Sequence, residues 1–202
     1  DTIHAGGGDD EVYAGDGDDK VYGEAGDDKL YGSSGKDILE GGEGNDLLDG
    51  GVGDDILVGG AGDDVLEGSY GSDTYVYNKG DGHDVINNYA YSGVQDKDVL
   101  KFGEGISSED LEVIRRGNDV TFSLKDGTGS VRVQDHFYSD SYKLDEVEFS
   151  DGTKWSAGDV ASRTVAYGTD KGEVLGNVEN YGGNDTIHAG GGDDEVYAGD
   201  GD

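Results

Sequence analysis

Gly41-Gly42-Glu43-Gly44-Asn45-Asp46-Leu47-Leu48-Asp49 shows the nine-residue pattern from which most of this chain is built, and residues 59–67 keep the same order of glycines, aspartate and core aliphatic. The unit combines a glycine-rich turn, a carboxylate and one core apolar residue in a fixed order. Its aspartate recurs every nine residues from the start of the chain, at Asp1, Asp10, Asp19, Asp28, Asp37, Asp46, Asp55, Asp64 and Asp73. This regular spacing of carboxylates predicts a metal-bound solenoid of short strands and tight turns.

Glycine and apolar residues keep the same register as the aspartates. The glycine two residues before the aspartate recurs at Gly8, Gly17, Gly26, Gly35, Gly44, Gly53, Gly62 and Gly71. The residue two positions after the aspartate is apolar throughout, from Ile3 to Tyr75, and is the expected core position. Glu24, Ser33 and Ser69 replace the second glycine of their units, which weakens individual turns and leaves the register intact.

This unit resembles the calcium-binding nonapeptide G-G-x-G-x-D-x-U-x of RTX (repeats-in-toxin) proteins. The resemblance implies an all-β fold, namely a calcium-loaded parallel β-roll (a β-solenoid) with two nonapeptides per coil, followed by a β-rich capping domain. It implies Ca²⁺ as the cofactor, with about seven or eight ions in the first roll and more in the C-terminal segment. The expected metal ligands are Asp1, Gly8, Asp10, Gly17, Asp19, Gly26, Asp28, Gly35, Asp37, Gly44, Asp46, Gly53, Asp55, Gly62, Asp64, Gly71, Asp73, Asp84, Asp185 and Asp194.

The stacked aspartates explain why such a roll needs a metal. Coils of eighteen residues place equivalent carboxylates at the inter-strand spacing of roughly 4.8 Å. Neighbouring charges then repel by about 3–4 kcal/mol at an effective dielectric near 20, and two core side chains per coil cannot offset both this repulsion and the lost chain entropy. A hard divalent cation supplies the missing stabilisation, so folding and calcium binding are one event. Without calcium we expect an acidic, glycine-rich disordered chain.

A longer repeat is superposed on the nonapeptides. Residues 185–202 are identical to residues 1–18 at all eighteen positions, an offset of 184 residues. An arbitrary cut would explain where the chain starts but not this identity, so we expect a tandem array of nearly identical modules. The absence of methionine also indicates a piece of a longer chain. Neighbouring identical modules are therefore expected partners, by stacking or by self-association.

The segment between the two nonapeptide blocks follows a different pattern. The step from Asp73 to Asp84 is eleven residues, so Tyr77 and Asn78 form an insertion at which the coil closes. Beyond it, alternating apolar residues and turn signals predict short strands at residues 98–102, 112–115, 120–124, 131–134 and 144–149. A helix is predicted at residues 156–163, with Ser156 as its cap. The expected domains are the RTX roll at 1–86, a β-rich domain at 87–166 and the start of the next roll at 167–202.

This middle segment resembles the haemolysin-type calcium-binding-related domain. The likeness is carried by residues 98–106, 110–111 and 117–119, and by Glu148-Phe149-Ser150-Asp151-Gly152-Thr153-Lys154-Trp155. The segment holds nearly all the large apolar residues of the chain. We therefore expect it to cap the open end of the roll, where core and unpaired strand edge would otherwise be exposed. The resemblance implies no reaction.

Composition limits the partners. The net charge is -33, from 14 basic and 47 acidic residues, which excludes nucleic acid as a natural partner. There is no cysteine, and the longest aliphatic stretch, Ile56-Leu57-Val58, is far shorter than the roughly 20 residues of a membrane span. The RTX resemblance implies an extracellular or cell-surface location, reached by type I secretion from a Gram-negative bacterium.

The sequence offers no catalytic constellation. His4, His83, His136 and His188 lack metal-ligand spacing, and we expect each to be solvated or locally hydrogen-bonded. Carboxylates occur at glycosidase-like spacings, but their regular stacking makes them calcium ligands or turn residues. We therefore predict that the chain is not an enzyme and has no catalytic residues.

The outward-facing strand positions offer a surface for partners. Tyr13, Tyr22 and Tyr31 follow core residues, and apolar residues occupy several outward positions of the stretch 38–65. Such a surface could bind a glycan or cell-surface ligand, a neighbouring module or another copy. The alternative, which we favour, is that residues 38–65 pack under the middle segment.

These features predict a calcium-dependent structural repeat module of a large secreted cell-surface protein, either an adhesin or an extracellular filament-like array. Calcium binding would drive folding and rigidity after export. The alternative is the calcium-triggered tail of a secreted toxin or enzyme, such as a lipase, protease or polysaccharide epimerase. The 184-residue repeat favours the array.

Overall fold

The computed structural model describes residues 1–89, 96–168, 171, 174–176 and 186–197. Glycine turns join ten short strands in its first part. The strands are β1 (Thr2–Gly7), β2 (Glu11–Asp16), β3 (Lys20–Ala25), β4 (Lys29–Ser34), β5 (Ile38–Glu43), β6 (Leu47–Val52), β7 (Ile56–Ala61), β8 (Val65–Tyr70), β9 (Thr74–Tyr77) and β10 (His83–Asn87). From β1 to β9, each strand pairs in parallel with the second strand after it, so odd and even strands form two separate sheets. The predicted parallel β-roll with two nonapeptides per coil is confirmed.

The strand register follows the sequence period. Ile3 lies opposite Val21 and Val12 lies opposite Leu30, an offset of eighteen residues in each sheet. From Val21 onward the core aliphatic of every strand is buried between the sheets. Tight stacking requires glycine in the turns: a Cβ on Gly44, whose φ is 125°, would lie 2.1 Å from the carbonyl oxygen of the preceding coil's turn.

The two-residue insertion changes the offset at the end of the roll. β10 pairs with β8 at an offset of twenty, with Val85 opposite Val65. The extra residues lie at the end of β9 and the start of the following turn, where the Asn78 N–H donates to Asp81 Oδ2 at 2.6 Å. The inserted Tyr77 ends β9, and its hydroxyl donates to the carbonyl oxygen of Gly82 at 2.7 Å.

The middle segment is β-rich, as predicted. Its elements are β11 (Val99–Phe102), a 3₁₀ turn (Ser108–Asp110), β12 (Leu111–Arg116), β13 (Asp119–Leu124), β14 (Ser130–Val133), β15 (Glu146–Phe149), β16 (Lys154–Ser156), α1 (Ala157–Arg163) and β17 (Thr164–Tyr167). The Ser156 hydroxyl accepts the N–H of Asp159 at 3.2 Å, which confirms the predicted helix cap. Within the described ranges, no helix has the length and apolar character needed to cross a membrane.

Both sheets of the roll continue into this segment. β11 pairs with β9 and is followed in the odd sheet by β15 and β16, while the even sheet continues from β10 through β14, β13 and β12 to β17. The aromatic residues join the core of the roll: the ring of Phe102 stacks on Phe149 at 5.4 Å, and Trp155 meets Phe149 at 4.8 Å. The middle segment thus covers the last coil of the roll. The domain limits at residues 86 and 166 stay a prediction.

One expectation about the outer surface is wrong. The middle segment extends the two sheets at their end and does not lie across their faces, so residues 38–65 do not pack under it. Ile56, for example, remains 38% exposed. The sheet faces of the roll therefore carry accessible apolar side chains.

Three short strands lie beyond the middle segment: β18 (Val174–Gly176), β19 (Thr186–His188) and β20 (Glu195–Tyr197). β19 adds to the even sheet by pairing in parallel with β17, whereas β18 and β20 pair with each other. The predicted ligand Asp185 lies outside the described residues.

Candidate metal sites

The repeat aspartates form two columns, one in the turns before the odd strands and one in the turns before the even strands. Within a column, the backbone N–H of each aspartate donates to Oδ1 of the next one. For example, Asp28 donates to Asp46 at 2.7 Å and Asp46 donates to Asp64 at 2.8 Å. The same bond links the pairs 10/28, 19/37, 37/55, 55/73, 64/84 and 73/98. Stacking at the coil repeat therefore brings the predicted carboxylates together.

The second oxygen of these carboxylates has a different environment. In the part of the chain that the structure describes, Oδ2 is buried and accepts no hydrogen bond at Asp10, Asp19, Asp28, Asp37, Asp46, Asp55, Asp64 and Asp84. A buried carboxylate oxygen without a donor is costly, and eight in two regular columns cannot be a packing accident. Each column is thus a row of oxygens that require a positively charged ligand.

The first glycine of each unit makes space beside this oxygen. A Cβ on Gly41 would lie 2.2 Å from Asp46 Oδ2 and 2.5 Å from the carbonyl oxygen of Gly59 in the next coil. Gly23 has the same relation to Asp28 Oδ2, at 2.4 Å. A carboxylate oxygen and a carbonyl oxygen therefore converge on a point that only glycine leaves open. In the first coil, Ala5 occupies the position equivalent to Gly23.

Burial raises the pKa of the inner carboxyl groups. The pKa rises to about 6 at Asp46 and Asp55, to about 7 at Asp64 and Asp73, and to about 8 at Asp84. Loss of hydration is the main cause of the rise in every case. The hydrogen bond from the backbone N–H lowers the pKa, whereas neighbouring carboxylates raise it further. Ionising these groups therefore costs more in the roll than in water, and a bound cation would offset that cost.

The donor set fits calcium. Carboxylate and carbonyl oxygens are the ligands that this hard cation prefers, and it accepts six to eight of them in irregular arrangements. Among the described residues, no three His, Asp or Glu side chains converge, and a calcium ion here would need backbone carbonyls as well as the carboxylates of one column. When bound, Ca²⁺ supplies the positive charge that the columns lack. The column aspartates from Asp10 to Asp84 and the turn glycines between them are the residues that would hold it.

The column before the odd strands ends where other side chains fill the turn. Asn88 follows β10 at the position of the first glycine, and its amide donates to Asp98 Oδ2 at 2.9 Å. The Tyr75 hydroxyl donates to Asn88 Oδ1 at 2.7 Å and accepts the N–H of Gly68 at 3.0 Å. Asp98 thus continues the column with both carboxylate oxygens bonded by protein groups. Sequence reasoning missed this role, although Asp98-Val99-Leu100 repeats the order aspartate, any residue, aliphatic.

The terminal members of the predicted set differ from the inner ones. Asp1 is exposed, and its backbone nitrogen contacts Asp19 Oδ1, as in the rest of the ladder. Asp194 lies in a described turn before β20, in the register of Asp10. Exposed ladder bonds flank both columns: Asn45 Oδ1 accepts the N–H of Asp63 at 2.9 Å beside one column, and Asp18 Oδ1 accepts that of Lys36 at 2.9 Å beside the other. This outer ladder was not predicted, although the residue before each aspartate has the same period.

The histidines take no part in these columns. His136 is buried, its Nδ1 accepts the N–H of Leu144 at 3.2 Å, and its pKa falls to about 4, mainly through lost hydration. His4 is exposed and contacts Glu24 at 2.9 Å. Local hydrogen bonding of the histidines is what the sequence predicts.

Comparison with known proteins agrees with this geometry. The family model described as the RTX calcium-binding nonapeptide repeat (4 copies) matches residues 1–86, in overlapping segments, and residues 181–202. These matches cover more than half of the chain. A second model, the haemolysin-type calcium binding protein related domain, matches residues 119–159.

Individual proteins match smaller parts. The iron-regulated protein FrpA of Neisseria meningitidis serogroup C is 39% identical over 82 residues, which is 39% of this chain and 7% of that protein. The solution structure of the AlgE6R3 subunit from the Azotobacter vinelandii mannuronan C5-epimerase has a TM-score of 0.40 and 24% identity, over 71% of this chain and 80% of that one. The extracellular lipase LipA from Serratia marcescens has a TM-score of 0.28 and 18% identity, over 62% and 36% of the two chains.

RTX nonapeptide repeats bind calcium and are typical of secreted proteins. The repeat period, the two aspartate columns and the match of the family model lead to the same assignment. This chain belongs to the RTX family of calcium-binding nonapeptide-repeat proteins.

Proposed function

We propose that this chain is a non-catalytic, calcium-dependent structural module of a large secreted cell-surface protein, an adhesin or an extracellular filament-like array. The observation that carries the proposal is the pair of columns of buried Oδ2 atoms without hydrogen-bond partners. They give the fold a specific need for cations along its whole length. A chain with this need is a calcium-dependent scaffold.

The same columns explain why folding would follow export. Without calcium, each coil buries carboxylates that repel one another, so the chain stays unfolded and can pass through a type I secretion channel of a Gram-negative cell. Extracellular calcium modules bind with dissociation constants of roughly 0.1 to 1 mM. Binding at about seven or eight sites in the first roll then makes the exported chain rigid.

The long repeat supports the array. Residues 185–202 repeat residues 1–18, and the match to FrpA spans only 7% of that relative. Modules that follow one another at 184 residues would form an extended spacer between the cell surface and a distant ligand. The exposed apolar and aromatic side chains of the sheet faces offer a surface for a glycan or for another copy.

Small-angle X-ray scattering with and without calcium tests the proposal. An unfolded chain of this length has a radius of gyration of about 50 Å, whereas a compact one has about 16 Å. We expect a value near the unfolded limit in chelator and a value at most half as large in calcium, at protein concentrations where the chain is monomeric. A radius that calcium does not change would contradict the proposal.

Ion counting gives a second check on the columns. Asp37 is linked by hydrogen bonds to both Asp19 and Asp55, whereas Asp1 lies at the end of its column with an exposed side chain. Isothermal titration calorimetry should therefore show that Asp37→Ala loses about twice as many calcium sites as Asp1→Ala. Equal losses would exclude shared ligation between stacked coils.

A further inference from the structure

The described C-terminal strands include the first strand of a second module. Residues 186–188 have the same sequence as residues 2–4, so β19 is the counterpart of β1. β19 pairs in parallel with β17, with Ala166 opposite Ile187. The N–H of Gly168 donates to the carbonyl oxygen of His188 at 2.8 Å, and the ring of Tyr167 stacks on His188 with a centroid distance of 4.9 Å.

The equivalent edge of the first module is open. Among the described residues, β1 pairs with β3 on one side only. Ile3 and Val12 are partly buried, whereas Val21 and Leu30, one coil further on, are fully buried. The outer face of this edge carries a similar aromatic contact to that between Tyr167 and His188. The rings of His4 and Tyr22 stack with a centroid distance of 4.8 Å and an interplanar angle of 13°. The first coil thus has the strand edge, core residues and ring that β17 contacts in the second copy.

We infer that β17 of one module pairs with β1 of the next, so that consecutive modules share a continuous β-sheet. The inference rests on the proposed tandem array. The register of β17 and β19 places Val165 opposite Thr2, Ala166 opposite Ile3 and Tyr167 opposite His4 of the following copy. Tyr167, His4 and Tyr22 then form a column of three stacked rings across the junction.

The two sheets exchange roles at this junction. β17 belongs to the even sheet of its module, but β1 belongs to the odd sheet of its own. The even sheet of one module therefore continues as the odd sheet of the next. β18 pairs with β20, the counterpart of β2, and starts the new even sheet. In an array built this way, strand pairing between β17 and the following β1 passes through every junction.

Engineered cysteine pairs test this register, because the chain has no cysteine of its own. Val165→Cys with Thr186→Cys places the two residues directly opposite each other on adjacent strands, with Cα atoms about 4.8 Å apart. The matched control, Val165→Cys with His188→Cys, lies on the same face but two residues out of register, at about 8 Å, beyond the roughly 7 Å limit for a disulfide. Both pairs are made in the full chain, and circular dichroism confirms folding in calcium.

We expect the opposed pair to form an intramolecular disulfide roughly tenfold faster than the control under mild oxidation in calcium. Peptide mapping by mass spectrometry identifies the bond. In a chain of two consecutive modules, Val165→Cys of the first and Thr2→Cys of the second should cross-link in the same way. Equal rates for the two pairs, or only intermolecular disulfides, would overturn the junction. The proposed function fails separately, if calcium does not compact the chain in the scattering experiment.

Discussion

Replacing Asp46 by asparagine should destabilise the calcium-loaded protein and stabilise the calcium-free one. Asp46 lies in the middle of its column, where Oδ1 accepts the N–H of Asp28 and Oδ2 is buried without a partner. An asparagine keeps the Oδ1 acceptor. Its neutral amide group replaces the unpartnered charged oxygen. The substitution therefore removes charge and metal ligation while the hydrogen-bond ladder is retained.

The magnitude follows from the two calcium sites that share this carboxylate. At about 10 mM free calcium, a site with a dissociation constant of 0.1 to 1 mM adds about 1.4 to 2.7 kcal/mol to the free energy of unfolding. Loss of two sites then costs about 3 to 5 kcal/mol. In chelator the sign reverses, because repulsion from Asp28 and Asp64, up to about 3–4 kcal/mol for each fully ionised pair, is removed.

Urea unfolding in calcium, followed by circular dichroism, measures the first effect. In chelator, the sucrose concentration needed for half-folding measures the second, since excluded osmolytes favour the compact state. The matched control is Asp63→Asn, because this exposed residue precedes a column aspartate and Asn45 already fills the equivalent ladder position. We expect the control to change stability by less than about 0.5 kcal/mol. If both variants lose the same stability in calcium, or if Asp46→Asn is equally destabilised in chelator, the reasoning is refuted.

Three other predictions concern pH, strain and the end of the columns. In the absence of calcium, the raised carboxyl pKa values favour the roll at acidic pH, and this stability is lost as pH rises through about 7 at Asp64 and about 8 at Asp84. Circular dichroism of the calcium-free chain should thus show more β-structure near pH 5 than near pH 8. Calcium titrations should give a weaker affinity near pH 5 than near pH 8, and an affinity that does not depend on pH would contradict this. Ser33→Gly should raise the free energy of unfolding, measured in urea, by about 0.5–1 kcal/mol, because it relieves the φ of 82° at residue 33. Gly51→Ser in the next coil should lower the free energy of unfolding, because a Cβ on residue 51 would lie 2.3 Å from a backbone oxygen. Tyr75→Phe should cost about 1–3 kcal/mol at every calcium concentration that folds the roll, because its hydroxyl bridges two buried polar groups; a cost that shrinks as calcium is lowered within that range would refute the assignment.

The strict period made most of the roll predictable from sequence. A nine-residue repeat fixes the turn, the carboxylate and the core residue of every strand, so the parallel pairing of Val12 with Leu30 follows from counting. The helix after Ser156 was predictable for a similar reason, since its cap is a local signal. Each of these features depends on residues that are close in sequence or related by the period.

Features set by distant contacts were not predictable. Asp98 joins its column 25 residues after Asp73, because a non-repeating segment lies between them. β14 pairs with β10 across 47 residues, with His83 opposite Ser130, and no local pattern encodes that pairing. Because these pairings are not encoded locally, the sequence suggested a middle segment that covers the sheet faces. In the structure, the strands of the middle segment instead extend both sheets at their end. Asn88 was missed as the end of a column because its role depends on Asp98.

Hydrogen exchange with and without calcium tests most directly whether calcium binding and folding of the roll are one event. In calcium, the backbone amides of β3 to β8 bond to neighbouring coils, and we expect slow exchange throughout residues 20–70. In excess chelator at neutral pH, the same amides should exchange at the rate of an unfolded chain. Strands β3 to β8 that remain protected in chelator would contradict the account, because the two aspartate columns would then be stable without a cation.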